Sequence, residues 1–527
     1  MELNFVAHSE LQQGGFDLDL LPGEMIVDNF CGLGGASKGL ERCLMKPVDR
    51  AINHNPEMLS LHKTNHPKTK HYNENVWNVD PLALTSGSKI GVAWFSPDCT
   101  HFSKARGSQP VEKKIRALPW VIVKYGLINP PRIFFMENVE EISTWGPIDN
   151  GKPIKSRAGE TFDGFVKALT TGLSPKHPAW REAVEYLDIK FNAAMKLKLF
   201  KGCGYQVQNT TLTASDYPIA TTRTRFFMVG RRDNRPIKWP APTHGNPSSA
   251  AVKSGHLKPW RPIADHIDWS LPCRSIFGRP KPLATATLNR IAKGLQRYVI
   301  DAEDPFIAPG EAKIVPFITE HANASHQRNF DINEPMRTLC ASTKGGHFGL
   351  VAATMVKMNG KSDAFDISSP GASMTTKNKH MLMTSCMIKF RGTNVGYPMT
   401  DPMHAISAGG THMAEMRAFL IKYYGTGGAI SLANPLHTVR TGDCFALVVV
   451  KSELYMIVDI GIRMLTPREL ASASSFSSSY ALDCDHLGNI YSKEKQVFGL
   501  GNAVPPEMAF QLAAANLWIP KQQLVAA

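Results

Sequence analysis

Residues 96–107 read SPDCTHFSKARG, and Cys99 within them has three possible chemistries. A cysteine is most often a small, buried apolar side chain. It can also be a metal ligand, or a nucleophile where donors and cations favour the thiolate. His101 and the Lys and Arg that follow it favour the thiolate, whereas Asp98 opposes it if its carboxylate faces inward. This segment alone leaves all three alternatives open.

The nine cysteines of the chain do not favour a metal site. None forms a CxxC pair, and no His-rich cluster has the spacing of zinc ligands. An odd number of scattered cysteines is typical of a reducing compartment, so we expect a cytoplasmic protein. The polar N-terminus and the absence of a run of about 20 apolar residues predict no secretion signal and no membrane segment.

One carboxylate and two arginines are further candidates for chemistry. Glu137 lies in FFMENV at the end of an apolar run, where a carboxylate is often only a cap or one half of an ion pair. Arg223 and Arg225 lie two apart in TTRTRFFMVG, which places both on one face of a predicted strand. Two arginines beside a cavity suit an anionic or oxygen-rich ligand, although an exposed strand edge carries arginines too.

Three apolar runs, at 25–31, 90–97 and 132–139, predict the strands that position these residues. The first run is followed by GLGG and a helical pattern, which together predict the opening strand, turn and helix of a doubly wound α/β sheet. Ligands bind beyond the carboxyl ends of such strands, so the three following loops should converge on one site. The spacing GxGxxG is absent, which disfavours NAD and leaves an adenosyl-type cofactor open.

Residues 314–450 contain a repeat with a period near 33 residues. Prolines recur at positions 335, 370, 402 and 435, and the segments ATMVKMNG, SCMIKFRG and AFLIKYYG align Lys357, Lys389 and Lys422. Alternating apolar residues with frequent Gly and Thr predict short β segments in each unit. The lysines are candidates for contacts with a polyanion. The alternative, a purely structural stack with solvated lysines, stays open.

The positive charge of the chain is concentrated in the same region. The formal net charge is +14, and residues 231–455 contain 27 Lys and Arg against 16 Asp and Glu. A concentrated positive field attracts polyanions, of which nucleic acid is the first candidate. An ordinary solvated surface remains the alternative, because charge alone does not distinguish the two.

Six segments, taken in order, resemble the successive motifs of the C5-cytosine DNA methyltransferase family. They are NFCGLGGASKGLE, SPDCTHFS, FFMENVEEI, TRTRFFMVG, RMLTPRELASASSF and LGNAVPPEMA. The resemblance covers roughly 26–232 and 460–515, and the basic repeats lie where that family has its target-recognition domain. The overall pattern is similar to members carried by bacteriophages and prophages.

The resemblance implies an α/β fold with a doubly wound, mixed, Rossmann-like sheet and a large β-rich, repeat-containing target-recognition domain. The implied limits are 1–232 for the catalytic domain, 233–455 for the recognition domain and 456–527 for a C-terminal segment that returns to the catalytic domain.

The resemblance also implies roles for individual residues. Cys99 is the implied nucleophile at C6 of a cytosine, and Glu137 is implied to hold and protonate N3. Arg225, with Arg223 nearby, is implied to hold the cytosine and the catalytic loop. S-adenosylmethionine is the implied methyl donor, and its expected binding residues are Phe30, Gly32, Leu33, Gly34, Asn53, Asn75, Asn502 and Val504.

The implied substrate is duplex DNA from which the target cytosine is flipped out, because C5 and C6 are inaccessible inside a duplex. The loop that runs from Cys99 through Ser103 is the expected clamp on the flipped base. The predicted DNA-binding residues are Ser103, Lys357, Lys389 and Lys422. We expect a monomer in the cytoplasm of a bacterial or phage-infected cell, with neither a metal nor a membrane as partner.

The sequence departs from the family pattern at five positions. Asp98 and Thr100 stand where Pro and Gln usually flank the cysteine, and Thr222 stands where Gln usually precedes the first arginine. Asn53 stands at the position of the acidic residue expected on the cofactor ribose, and Asn75 at that of the Asp expected near the adenine. These changes leave the cysteine, the glutamate and both arginines in place.

Three other functions compete with this interpretation. INPPR at 128–132 is similar to the Asn-Pro-Pro-aromatic motif of amino-methyltransferases, but Arg132 replaces the aromatic residue and the segment precedes a predicted strand instead of following one. A cytosine-5 methyltransferase acting on RNA can share the same motif order, and the long basic region favours duplex DNA over it. A DNA-binding repeat protein with an inactive methylase core is disfavoured by the intact Cys99 and Glu137.

Overall fold

The computed structural model describes residues 5–6, 15–99, 101–102, 112–277 and 465–521, together with parts of 278–464, mostly its strands. By its internal contacts the chain forms two compact units. The first comprises residues 1–268, 333–347 and 465–527, and the second comprises residues 269–332 and 348–464.

A seven-stranded sheet forms the centre of the first unit. Its strands are β1 (Met25–Asn29), β2 (Arg50–Asn53), β3 (Lys70–Asn73), β4 (Ile90–Phe95), β5 (Ile133–Asn138), β6 (Gln206–Thr213) and β7 (Thr224–Arg231). The spatial order is β6-β7-β5-β4-β1-β2-β3. Strands β1 to β5 are parallel, whereas β7 is antiparallel to both β5 and β6. The sheet is therefore mixed and doubly wound, as predicted.

Helices cover both faces of this sheet and follow the predicted pattern of strand, turn and helix. In chain order they are α1 (Gly35–Leu44), α2 (Pro56–Asn65), α3 (Pro81–Leu84), α4 (Lys113–Arg116), α5 (Trp120–Ile128), α6 (Glu160–Leu169), α7 (Trp180–Tyr186), α8 (Ala193–Lys201), α9 (Ala250–Lys253), α10 (Pro467–Ala473), α11 (Lys493–Asn502) and α12 (Pro506–Leu517). No helix among the described residues is long and apolar enough to cross a membrane.

The sheet is apolar because it is buried on both faces. Every residue of β4 and of β5 is buried, which is typical of central parallel strands under two helical layers. Successive residues point to opposite faces, so Ile26 packs with α1 and α12, whereas Val27 packs with α5. The two hydrophobic cores fix the strand ends relative to one another.

Two glycines of α1 let the C-terminal segment pack closely against it. A Cβ at Gly35 would lie 1.9 Å from the carbonyl oxygen of Val504, and a Cβ at Gly39 would lie 2.6 Å from the Cβ of Ala509 on α12. Larger side chains at either position would push α12 away. The C-terminal segment is therefore part of the same unit as the first strand and helix.

The second unit is rich in β structure, as predicted for the repeat region. Its strands are β8 (Arg274–Ser275), β9 (Lys313–His321), β10 (Asn329–Asp331), β11 (His347–Lys357), β12 (His380–Met381), β13 (Cys386–Lys389), β14 (Tyr397–Pro398), β15 (Met413–Met416), β16 (Ile421–Lys422), β17 (Ala446–Val450) and β18 (Glu453–Met464). Strands β8-β18-β11-β9-β10 form a sheet in that order, with β17 paired to β18.

The three aligned lysines occupy equivalent places in their strands. Lys357 is the last residue of β11, Lys389 the last of β13 and Lys422 the last of β16. The strands belong to three different sheets, in which β13 lies between β14 and β15 and β16 pairs with β12. The lysine side chains lie outside the described part of the chain, so their contact with DNA stays a prediction.

The compact units and the predicted domains divide the chain at different points. Residues 233–268 and 333–347 make most of their contacts with the first unit, which contains the seven-stranded sheet. One cause is the 3₁₀ turn Ile263–His266, where His266 Nδ1 lies 2.8 Å from the Ser472 hydroxyl on α10 and Asp268 N donates to Glu469 Oε1 at 2.9 Å. The predicted limits at 232 and 456 remain predictions about functional domains.

Candidate active site

A cleft opens at the carboxyl edge of the parallel strands, where the three predicted loops meet. It contains about 900 Å³ of space, part of it open to solvent, which is the size of a site for a small organic ligand. Its lining includes eight of the predicted site residues: Phe30, Gly32, Leu33, Asn53, Cys99, Glu137, Arg223 and Asn502. The strand ends thus bring together side chains that are up to 472 positions apart in the sequence.

The Cys99 loop is tied to both neighbouring strands. The Asn138 side chain, at the end of β5, donates a hydrogen bond to Pro97 O at 3.0 Å. Ser96 N donates to Asn29 O at the end of β1, at 3.3 Å. Phe102 N donates to Cys99 O at 3.0 Å, so the chain turns immediately after the cysteine. Cys99 is thus held beyond the carboxyl end of β4, where it is partly exposed in the cleft.

Glu137 and the two arginines form a charged group beside Cys99. Glu137 is buried at the end of β5, opposite Phe227 of β7. Its Oε1 lies 3.3 Å from Arg225 Nε and 3.9 Å from Arg223 Nη2. Arg223 lies one residue before β7 and donates from Nη1 to Gly501 O at 2.7 Å, next to Asn502. The predicted pair of arginines therefore faces the predicted carboxylate.

The electrostatic environment of Cys99 is mixed. Burial raises the pKa of the thiol to about 11, and the Glu137 carboxylate adds to this increase, while the guanidinium groups of Arg225 and Arg223 oppose it. Asp98 also raises the pKa, which is the effect expected of an inward carboxylate. His101 is buried and accepts a hydrogen bond from Glu112 N at 2.6 Å, so the two arginines, and not this histidine, favour the thiolate. The surroundings of Cys99 therefore disfavour the thiolate on balance.

The other side of the cleft suits an adenosyl group. Phe30 and Gly32 have positive φ angles of 61° and 50°, so the backbone turns sharply and leaves space in front of Gly32. The apolar lining there consists of Phe30, Leu33, Met58, Val76 and Phe498, and amide groups come from Asn53, Asn55 and Asn502. S-adenosylmethionine requires apolar surfaces for its purine and hydrogen-bonding groups for its ribose hydroxyls and its amino-acid part. This lining offers both.

Three of the predicted cofactor residues lie beside or behind this cleft. Asn75 lines an adjoining cavity that shares Phe30 and Val76 with the cleft. Gly34 backs onto Tyr480 and His66, and Val504 packs against Gly35. Ser103 lies outside the described residues, as do the residues that would continue the predicted clamp.

Several residues of the lining were not predicted from the sequence. His54, Asn55 and Met58 follow β2, where Asn55 caps α2 by accepting from the backbone N–H groups of Glu57 and Met58. Phe498 lies four residues before Asn502 on α11, a helical spacing that places both on one face. The spacing of Phe498 and Asn502 could have predicted that both line the cleft, whereas the position of Met58 depends on how α2 packs.

No group of three or more His, Cys, Asp or Glu side chains in the described part of the chain has the geometry to hold a metal ion.

The sheet order, the antiparallel strand β7 and the cleft at the strand ends are those of a doubly wound, Rossmann-like α/β fold. Comparison with known proteins shows a similarity in the part of the chain that contains this sheet. The model of the C-5 cytosine-specific DNA methylases matches residues 25–151 and 190–279. Two segments of the chain, about two fifths of its length, are therefore similar to the C-5 cytosine-specific DNA methylases.

Individual relatives are distant. The chain is 24% identical to the type II methyltransferase M.NgoPII of Neisseria gonorrhoeae over 41% of its own length and 50% of that protein. It is 22% identical to the type II methyltransferase M.AquIA of Picosynechococcus over 46% and 87% of the two chains. Among solved structures, the S. pombe Dnmt2 methyltransferase aligns with 93% of this chain and 97% of its own, at 11% identity and a TM-score of 0.40. The match thus spans half the length of the Neisseria relative.

Proposed function

We propose that the protein methylates C5 of cytosine in duplex DNA, with S-adenosylmethionine as methyl donor. The observation that carries the proposal is that Cys99, Glu137 and Arg223 line one cleft together with the adenosyl-type residues, while Arg225 lies beside Glu137. The match of two segments to the C-5 cytosine-specific DNA methylases supports both the substrate and the methyl donor of this proposal.

Cys99 provides the nucleophile in this mechanism. The Cys99 thiol gives up its proton to solvent, its thiolate sulfur then adds to C6 of the cytosine, and the electron pair of the C5–C6 double bond moves toward N3. Charge then develops toward N3, where Glu137 holds the ring and donates a proton. Arg225 and Arg223 lie against Glu137, and they would hold the base and the carboxylate in place. C5 becomes nucleophilic as a result.

The cofactor supplies an electrophilic methyl group when bound. Phe30, Leu33 and Asn53 would hold its adenosyl part, and Asn502 would close the cleft from α11. Loss of the C5 proton after methylation restores the double bond and releases Cys99.

Duplex DNA is the proposed substrate, and the basic repeat region is its proposed contact surface. The target base must leave the helix, since the cleft reaches atoms that stacking covers. The repeat lysines would bind phosphates, which position a protein without specifying sequence. The predicted monomer, the cytoplasmic location and the likeness to phage-borne members stay predictions.

Bisulfite sequencing of DNA and RNA from bacteria expressing the protein tests this proposal. We expect methylated cytosines in DNA at one recurring sequence context, and none in cells expressing Cys99→Ser. Methylation found only in RNA would mean that the substrate is RNA and not duplex DNA. Methylation of neither nucleic acid by a folded wild-type protein would contradict the proposed activity.

A further inference from the structure

The turn that lines the cofactor side of the cleft has a buried hydrogen bond behind it. The backbone carbonyl of Leu33 accepts from the Tyr480 hydroxyl at 2.6 Å. Tyr480 is 3% exposed and lies in the C-terminal segment, 447 residues further along the chain. Leu33 and Gly32 line the cleft, so the same short piece of backbone faces the ligand in front and Tyr480 behind.

The hydrogen atoms of this contact can be assigned from its partners. Tyr480 has one hydroxyl proton, which Leu33 O receives. His66 Nε2 lies 3.0 Å from the same hydroxyl oxygen and must therefore donate to it. His66 Nδ1 lies 2.9 Å from Oε2 of Glu41 on α1, which is an ion-pair distance. Glu41, His66 and Tyr480 thus form a chain of contacts that ends on the turn.

Gly34 shows how closely the turn abuts this chain. Its φ angle is 100°, and a Cβ at this position would lie 2.5 Å from the Tyr480 hydroxyl and 2.7 Å from His66 Nε2. The backbone of the turn therefore rests directly on the two polar atoms. Removal of either atom would leave the turn unsupported, because Gly34 has no side chain of its own to fill that space.

We propose that Tyr480 and His66 are positioning residues, which hold the Gly32–Gly34 turn in the shape that binds the cofactor. The inference rests on the proposed function, since it presumes S-adenosylmethionine as the ligand of the cleft. Neither residue belongs to the described lining of the cleft, so their effect reaches the ligand through the Leu33 backbone. Substitution should weaken cofactor binding and leave DNA recognition and the chemistry of Cys99 intact.

Tyr480→Phe removes only the hydroxyl, and Tyr491→Phe is its matched control. Tyr491 is also buried in the C-terminal segment, where its hydroxyl lies 2.9 Å from Asp485 Oδ2 and 3.3 Å from Glu57 O, away from the turn. We would measure S-adenosylmethionine binding to the full chain by calorimetry, the KM for cofactor and for DNA, and the thermal unfolding midpoint.

We expect Tyr480→Phe to raise the cofactor Kd and KM by about 3- to 10-fold, the range for one buried hydrogen bond, with kcat and the KM for DNA within about twofold of wild type. His66→Leu should act in the same direction, and His66→Gln, which keeps an N–H donor, should recover part of the loss. Tyr491→Phe should leave cofactor affinity unchanged, even if it lowers the unfolding midpoint.

Wild-type cofactor affinity in Tyr480→Phe would overturn the inference. An equal loss of cofactor affinity in Tyr491→Phe would also overturn it, because the loss of any hydroxyl in this segment would then have the same effect. A folded wild-type protein that binds no S-adenosylmethionine would overturn the proposed function, and the inference with it.

Discussion

Glu137 has two opposing effects on Cys99, and they can be measured separately. Its carboxylate raises the pKa of the thiol, yet the proposed chemistry requires it at N3 of the base. Glu137→Gln should therefore increase the thiolate fraction at pH 8 and speed alkylation of Cys99 by iodoacetamide. The same variant should lose methylation by about 10²-fold or more, the usual scale for a positioned acid.

Mass spectrometry of the alkylated peptide and a tritium-transfer assay would follow the two rates. Glu140→Gln, at an exposed position three residues further on, is the control and should change neither. Normal methylation by the Glu137→Gln variant would assign the acid to another carboxylate. Slower alkylation of that variant would mean that Glu137 does not face the thiol as described.

The proposed catalytic residues could be predicted from the sequence because they lie in short, distinctive segments at the ends of predicted strands. Cys99 follows β4, Glu137 lies near the end of β5, and the two arginines lie at the start of β7. Cys99, Glu137 and the arginines meet at the strand ends as expected. Tyr480 and His66 could not be predicted in this way. Their partners are a backbone carbonyl and each other, and 414 residues separate them, so only the folded chain brings them together.

The first strand and helix contain a buried carboxylate whose ionisation costs stability. Asp28 of β1 is fully buried, it accepts a hydrogen bond from the Ser37 hydroxyl on α1 at 2.6 Å, and burial raises its pKa to about 7. His62 of α2 lies 3.0 Å from the same hydroxyl, and burial lowers its pKa, so it adds no compensating charge.

A raised carboxyl pKa in the folded state means that the native protein binds a proton more tightly than the unfolded chain does. The stabilisation is complete below about pH 4, and it is lost as the pH rises to about 7. Asp28→Asn should remove this dependence. Its free energy of unfolding relative to wild type should increase by up to about 1.4 kcal/mol for each pH unit in that window, and level off above pH 7.

Urea unfolding between pH 5 and pH 8 measures this difference. For the control Asp17→Asn, at an exposed strand position, the free energy of unfolding should change with pH as it does in wild type. If the free energy of unfolding of Asp28→Asn has the same pH dependence as that of wild type, Asp28 is not protonated in the native protein near neutral pH. The strand and helix themselves were predictable from the apolar run and GLGG, whereas the burial of Asp28 depends on helices that pack over it.

The whole molecule combines a conventional catalytic sheet with a basic, β-rich second unit. Lys357, Lys389 and Lys422 each end a strand, as the repeat alignment implies, although the strands belong to separate sheets. The period near 33 residues predicted the strands, but it did not predict their division among sheets. Strand pairing depends on contacts between repeats, which a period does not encode.

Replacement of the three repeat lysines by Ala tests whether this unit binds the phosphate backbone. We expect weaker binding to target and non-target duplexes alike, and a salt dependence flattened by about one unit of log-log slope per lost contact. The methylated sequence should not change. The control replaces exposed Lys176, Lys190 and Lys201 of the first unit, so that the net charge falls equally. An unchanged slope in the repeat variant would leave these lysines as solvated strand residues.

The most direct test of the proposed mechanism is a covalent adduct between Cys99 and DNA containing 5-fluorocytosine at the methylated site. Fluorine at C5 blocks the elimination that frees the enzyme, so the wild-type protein with S-adenosylmethionine should give a complex that survives denaturing electrophoresis. Cys99→Ser should give none, and Cys484→Ser, which removes an exposed thiol, should match wild type. Adducts of equal yield in Cys99→Ser would contradict the assignment of the nucleophile, and with it the central claim about this site.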